Sequence, residues 1–166
     1  MAKSSSKAAA QKATAKPVFV LNGPNLNLLG SREPGIYGRT TLPEAVEAVR
    51  LRARERGAEL EAIQSNGEGG LTDAIQSAAG RFDGLILNPG AYTHTSLAIR
   101  DAIQGVAVPC VEVHLSNVHA REDFRQRSLT APACVGVIAG FGTQGYCLAL
   151  DGLLAYLEAR KGTTGG

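Results

Sequence analysis

The sequence predicts an α/β fold, a three-layer sandwich with one five-stranded parallel sheet between two layers of helices. Three observations predict it. Short apolar segments alternate with longer segments of helical periodicity, the pattern of repeated strand–helix units. Two of the short segments, Val18-Phe19-Val20-Leu21 and Leu85-Ile86-Leu87, are unbroken apolar runs, as expected of strands buried on both faces. Three segments stop abruptly in polar clusters, and open α/β sheets place their ligands at the carboxyl ends of strands.

Composition sets the bounds. A chain of 166 residues suggests one domain, and 44% hydrophobic with 19% charged residues allows a core and a soluble surface. The net charge of +2 is too small to argue for nucleic acid or a membrane surface. Part of it comes from Lys3, Lys7, Lys12 and Lys16, which face no acidic residue in the first 16 positions. No apolar run reaches the length of a bilayer-spanning helix. Cys110, Cys134 and Cys147 are odd in number and sit in apolar segments. Reduced core cysteines in a cytoplasmic protein are expected, and a catalytic thiol is disfavoured because none adjoins a polar cluster in sequence.

Residues 1–16 hold Ala, Ser, Lys, Thr and Gln with nothing to bury, which predicts a disordered basic tail. The tail is Ser-rich and acid-free like a transit peptide, but it lacks arginine and an apolar stripe, and no signal-peptide apolar region is present. The domain is expected over 17–160, with a flexible end at 161–166. The first strand ends in Asn22-Gly23-Pro24-Asn25. From there to Thr40 the segment is too rich in Gly and Pro for regular structure, as in a lid or binding loop, and it carries Arg32, Glu33, Tyr37 and Arg39. Thr41-Leu42-Pro43-Glu44 opens a helix with a capping box, its stripe is Leu42, Val46, Val49 and Ala53, and Gly57 ends it. Glu59-Leu60-Glu61-Ala62-Ile63-Gln64 alternates, which predicts an exposed edge strand. A second helix is expected over 71–79, and a third from Thr95 that turns Leu97, Ile99, Ala102 and Ile103 inward. Val111-Glu112-Val113-His114 is the fourth strand. A charged helix over 120–127, a fifth strand over 133–139 and a last helix over 144–160 complete the chain.

Parallel strands joined by helices require right-handed crossovers. Five strands in this length fit the flavodoxin-like order 2-1-3-4-5, which sets strand one beside three and three beside four. These are the three strands with polar ends, so one crevice is expected there.

Three assemblies converge on that crevice: the loop with Arg32 and Tyr37; Asn88 with His94 and then Asp101; and Glu112-Val113-His114-Leu115-Ser116-Asn117 with Arg125 beyond. Each has a plain structural alternative. Tyr37 is either a surface anchor or functional, and His94 either caps a helix or binds. Glu112 and His114, two apart on one strand face, are either a satisfied buried pair or a working one. Arg125 in a charged run is either solvated or a ligand for an anion. His94, His114, His119 and Glu112 lack the spacing of common zinc sites. Gly23-Pro24-Asn25-Leu26-Asn27-Leu28-Leu29-Gly30 is not a dinucleotide fingerprint, and no G-K-[ST] occurs. A flavodoxin-like module for flavin or another anion stays open on fold analogy alone. The side chains themselves suit acid–base chemistry without a cofactor: a tyrosine base beside Arg, a His acid oriented by Glu112, and an Arg with backbone N–H groups for a carboxylate. That set fits proton abstraction next to a carbonyl followed by loss of a hydroxyl.

These residues resemble the type II 3-dehydroquinate dehydratase family. The resemblance is carried by Asn22-Gly23-Pro24-Asn25-Leu26-Asn27-Leu28-Leu29-Gly30, Arg32-Glu33-Pro34, Tyr37-Gly38, Gln64-Ser65-Asn66, Asn88-Pro89-Gly90-Ala91-Tyr92-Thr93-His94-Thr95-Ser96, Glu112-Val113-His114-Leu115-Ser116-Asn117 and Gly145-Tyr146. It implies a flavodoxin-like fold and the reversible dehydration of 3-dehydroquinate in the shikimate route, with no metal, cofactor or imine-forming lysine. It implies Tyr37 as the base at C2, Arg32 beside it, and His114 as the acid at the C1 hydroxyl. Glu112 would orient His114, and Asn88 would hold the water or oxygen that stabilises an enolate. Substrate binding would fall to Asn25, Asn88, His94 and Arg125, with Leu115 and Ser116 offering backbone N–H groups. The resemblance also implies a homododecamer, a tetramer of trimers, in which Asp101 reaches a neighbouring subunit's site.

Overall fold

Five strands, all parallel, make the sheet: β1 (Lys16–Asn22), β2 (Ala58–Gln64), β3 (Gly84–Asn88), β4 (Cys110–His114) and β5 (Gly136–Ala139). Their order is β2-β1-β3-β4-β5, the flavodoxin-like order that the sequence predicts. The computed structural model describes residues 16–31 and 33–163. Of the tail expected over 1–16, residues 1–15 lie outside the described residues, as do Arg32 and residues 164–166, while Lys16 opens β1 rather than closing the tail; of Pro34 and Tyr37 only the backbone is described.

Alternation along the strands sorts the core into two layers. Val18, Val20, Ile86, Val111 and Val113 face α2 (Leu42–Glu55) and α5 (Gln144–Thr163), packing with Leu42, Ala45, Val49, Ala53, Leu150 and Leu153. Phe19, Leu21, Leu85, Leu87 and Cys110 face α3 (Glu68–Ser77) and α4 (Leu97–Val106), packing with Leu71, Ile75, Ile99 and Ile103. As expected, β2 is the exposed edge, its residues mostly half-buried or exposed. Register sets the site: Asn22 pairs with Asn88 at the ends of β1 and β3, and Leu87 pairs with Glu112 on β4.

The capping box predicted for α2 is present, with Glu44 N donating to Thr41 and the Glu44 carboxylate accepting from Thr41 N. Elsewhere the structure differs from expectation. The glycine-rich segment after β1 is not structureless: Leu26–Leu28 forms a 3₁₀ turn and α1 (Pro34–Tyr37) a single helical turn. α3 begins at Glu68 rather than 71, because its first turn absorbs two glycines. Leu97 is 59% exposed. It lies two residues before Ile99, roughly 200° away around a helix of about 3.6 residues per turn. No helix forms over 120–127; two 3₁₀ turns, Val118–Ala120 and Asp123–Arg125, stand there. The segment's one large apolar residue, Phe124, is 68% exposed, so no apolar face pins a helix to the core. The fifth strand starts at Gly136, not 133, because Ala131–Ala133 winds into a 3₁₀ turn whose first N–H, that of Ala131, donates to Ser128 Oγ. α5 runs past 160 to Thr163.

Candidate active site

A cavity opens where β1, β3 and β4 end. It holds about 130 Å³ and is lined by Asn25, Asn88, His94, His114, Leu115, Ser116 and Arg125, all sites expected from the sequence. A cavity needs roughly 10–15 Å³ to hold one water, so the space suits a molecule on the order of ten heavy atoms.

The end of β4 supplies a carboxylate–imidazole pair. Glu112 is fully buried, and its Oε1 lies 2.6 Å from His114 Nε2. A carboxylate can only accept, so Nε2 carries the proton and Nδ1 is the ring nitrogen left for a ligand. Burial works against the Glu112 charge, but hydrogen bonds from His114, Thr130 and Thr93 outweigh it and hold the carboxyl below its ordinary value.

The end of β3 supplies a fixed amide. Asn88 Oδ1 accepts from Gly90 N at 3.2 Å, and Asn88 Nδ2 donates to Tyr146 Oη at 3.1 Å. Tyr146 Oη donates in turn to Asn22 Oδ1 at 2.6 Å, and Asn22 Nδ2 donates to Ile63 O at 3.0 Å. Desolvation pushes the buried Tyr146 hydroxyl far up, so it stays protonated. Asn88 is thereby held with one N–H left for the cavity.

His94 Nδ1 sits 2.7 Å from Arg127 O. A carbonyl cannot donate, so Nδ1 is protonated, and in the neutral ring Nε2 is an acceptor for a ligand hydroxyl. Ser116 Oγ accepts from Arg121 Nη1 at 3.4 Å. Arg125 Nε lies 3.2 Å from Glu122 Oε2 but is not aligned for a hydrogen bond, although the atom is buried. An anion reaching it would satisfy that donor. Asn25 takes a left-handed backbone (φ 66°), and its N–H donates to Asn66 Oδ1 at 3.0 Å. Gly23 seats this loop against β3: its N–H donates to Asn88 O at 2.8 Å, and a Cβ there would lie 2.6 Å from Pro89 O.

Tyr37 ends α1, and its side chain is outside the described residues, as is Arg32. Its neighbours Ile36 and Gly38 line a second hollow that shares Leu115, Ser116 and Arg121 with the cavity, so this loop flanks the site. Asp101 is exposed on α4 and does not line its own chain's cavity. No group of three or more metal-ligating side chains occurs among the described residues. No described helix is long and apolar enough to cross a membrane.

Sequence reasoning missed Tyr146, Thr93, Ser128, Thr130 and Arg121. Tyr146 reads as a helix residue far from every strand end, and Arg121 as charged surface. Against expectation, Cys134 does adjoin a polar cluster: its Sγ lies 3.9 Å from Glu112 Oε2. The approach comes from the turn over Ala131–Ala133, which ends where the fifth strand was expected to begin.

Known proteins are similar to this chain in sequence and in fold. The sequence model of the family described as Dehydroquinase class II matches residues 16–154. A 3-dehydroquinate dehydratase of Synechococcus sp. is 58% identical over 141 residues, covering 85% of this chain and 97% of that protein. One of Prochlorococcus marinus is 53% identical over 143 residues, covering 86% and 96%. The crystal structure of a type II dehydroquinase from Butyrivibrio crossotus superposes with a TM-score of 0.83 at 45% identity, covering 86% of this chain and 99% of that one. The chain belongs to the class II dehydroquinase family.

Proposed function

We propose that this site dehydrates 3-dehydroquinate to 3-dehydroshikimate, reversibly, by anti elimination through an enolate-like intermediate. The activity itself is that of the family, a carbon–oxygen hydro-lyase of the shikimate pathway. The observation that carries the mechanism is the Glu112–His114 pair, with one ring nitrogen tied to a buried carboxylate and the other left for a ligand at the cavity.

Tyr37, as tyrosinate, takes the proton from C2, and Arg32 beside it favours the charged phenolate. The C–H electron pair moves toward the C3 carbonyl oxygen. The free N–H of Asn88 holds the water or oxygen that carries this charge. The pair then returns to form the C1–C2 double bond as the C1–O bond breaks. His114 Nδ1 gives its proton to the departing hydroxyl, which leaves as water, and Glu112 stabilises the imidazolium before that transfer. His94 Nε2 accepts from a substrate hydroxyl. Arg125, Asn25 and the backbone at Leu115 and Ser116 bind the hydroxyls and the carboxylate.

The reaction needs no metal, cofactor or lysine imine. Lys161, the one lysine beyond residue 16, lies in the last turn of α5. The enzyme works in the cytoplasm on a small molecule, with neither nucleic acid nor membrane as partner. It assembles as a dodecamer, a tetramer of trimers, with Asp101 of one subunit serving the next. A yellow, turnover-free flavin module is the rival reading, and an absorbance scan with a dehydratase assay separates the two. The test of the base is Tyr37→Phe: kcat should fall by the ~10²–10⁴-fold typical of lost acid–base catalysis. Near-normal turnover in a folded variant would refute the assignment.

A further inference from the structure

Glu112 is surrounded by hydroxyls that the mechanism above does not use. Thr93 Oγ1 donates to Glu112 Oε1 at 2.7 Å, and Thr130 Oγ1 donates to Oε2 at 2.6 Å. Ser128 Oγ stands 3.1 Å from Oε1 and 2.6 Å from Thr93 Oγ1, and it accepts from Ala131 N at 2.9 Å. Thr93 and Thr130 are fully buried and 3.0 Å apart. Each hydroxyl has one proton. Those of Thr93 and Thr130 go to the carboxylate, and that of Ser128 goes to Oε1 or to Thr93. Around Oε1 and Oε2, His114 Nε2, Thr93 Oγ1 and Thr130 Oγ1 therefore all donate. A protonated Glu112 would need an acceptor, and a hydroxyl would have to turn round to supply one.

The hydroxyls belong to one short segment that clamps two parts of the site. Leu129 N donates to Thr93 O at 2.7 Å, and Arg127 O holds His94 Nδ1. The stretch from Arg127 to Thr130 thus fixes the binding imidazole and the carboxylate behind the acid imidazole together. We propose that Thr93, Ser128 and Thr130 are positioning residues that lock Glu112 as an aligned anion and so hold His114 in place for proton donation. The proposal rests on reading His114 as the general acid.

Other groups near the pair are few. Cys134 Sγ approaches Oε2, and Cys110 lies behind it, its thiol pushed well up by the Cys134 hydrogen bond and by burial. On the cavity side, His94, Arg121 and Arg125 line the same space as His114. None of the three hydroxyl residues lines the cavity, so their loss should act on turnover rather than on binding.

Thr130→Val keeps the shape and removes the donor; Thr130→Ser keeps the donor. With a weaker anion beside it, the His114 imidazolium loses its proton more readily. The ring ¹⁵N signals of His114, followed against pH, should change at a pH lower by about one unit in Thr130→Val, the size expected for one lost charge-assisted hydrogen bond. They should match the parent in Thr130→Ser. The alkaline limb of the kcat profile should move the same way, with KM unchanged. Thr93→Val repeats the measurement if Thr130→Val does not fold. Ring titrations at the parent's pH in both valine variants would overturn the proposal. The titration needs no turnover, so a parent chain inactive on 3-dehydroquinate would refute the assigned reaction while the ring signals still decided the hydroxyls' role.

Discussion

Tyr146→Phe tests the claim that Asn88 works because its amide is held. The change removes one oxygen from the core and keeps the ring. That oxygen accepts from Asn88 Nδ2 at 3.1 Å and donates to Asn22 Oδ1 at 2.6 Å, and all three residues are at most 3% exposed. No water can replace it without a new cavity, so two buried polar atoms lose their partner. A buried unsatisfied group costs about 1–3 kcal/mol, which puts the destabilisation near 2–6 kcal/mol. For a chain of this size about 1 kcal/mol moves the melting temperature by roughly 2–4 °C, so a fall on the order of 10 °C is expected. Catalysis should suffer separately. The Asn88 amide would keep only its bond from Gly90, and the N–H proposed to face the developing oxyanion would wander. Loss of one such donor costs about 10²–10³ in kcat, so a misaligned one should cost on the order of tenfold or more, with KM little changed. Thermal unfolding by circular dichroism and initial rates across substrate concentration measure both effects. Because Tyr146 is held protonated by burial, the deficit should be the same from pH 6 to 9. A variant with the parent's melting temperature and kcat would refute the argument that this hydroxyl fixes the amide.

Glu112→Gln puts an amide among hydroxyls that donate; kcat should fall by ~10²-fold or more at neutral pH, read in steady-state assays. The pH dependence of stability follows from the same carboxyl. Its pKa is lowered from 4.5, so its contribution is complete above that pH and is lost as pH falls through the lowered value. Melting temperatures between pH 6 and 3 should therefore fall more steeply for the parent than for Glu112→Gln. Gly23→Ala drives a methyl to 2.6 Å from Pro89 O and 3.0 Å from Asn88 O, both backbone, so it should lower the melting temperature and kcat together. Asp101→Ala should reduce kcat while a substrate-like acid still binds, and mixing it with Tyr37→Phe subunits should restore some activity; a fully active monomer by light scattering would count against the shared site.

Much of the fold was legible because apolar periodicity and end signals agree. Val18 to Leu21 and Leu85 to Leu87 have nothing polar to expose, so only a two-sided burial suits them, and Thr41 with Glu44 marks a helix start by chemistry alone. The misreadings cluster where local composition competes with tertiary packing. Residues 120–127 contain good helix formers but no stripe, and propensity without burial does not hold a helix. Ala133 to Val135 look like strand, yet Thr130 is drawn to Glu112 and the chain turns to follow. In the site, Asn88, His94, Glu112 and His114 announced themselves because polar residues end apolar runs. Tyr146 and the hydroxyls of Thr93, Ser128 and Thr130 did not, because their partners lie 16 to 124 positions away in sequence.

The register explains why the chemistry sits beyond the sheet rather than on either face. Residues of β1 and β3 that share a face alternate, so Asn22 and Asn88 point with Val20 and Ile86 toward the α5 layer, where Tyr146 meets them. On β4 the same alternation sends Glu112 to the opposite layer with Cys110, and His114 with it. The amide proposed for the oxyanion and the acid proposed for the leaving group are thus built on opposite sides of one sheet. Within the sheet they could never touch a common ligand, because β3 and β4 stand between the two layers. They meet only past the last ladder pair, where Leu87 pairs with Glu112 and β4 runs two residues further to His114. A strand one residue longer or shorter would flip one of the two groups to the other layer. The proposed chemistry therefore depends on the length of β4 relative to β3. Inserting one residue between Val113 and His114 should abolish turnover while leaving the core packed up to Val113 and Leu87, and should displace only Leu115 among the β4-end core residues.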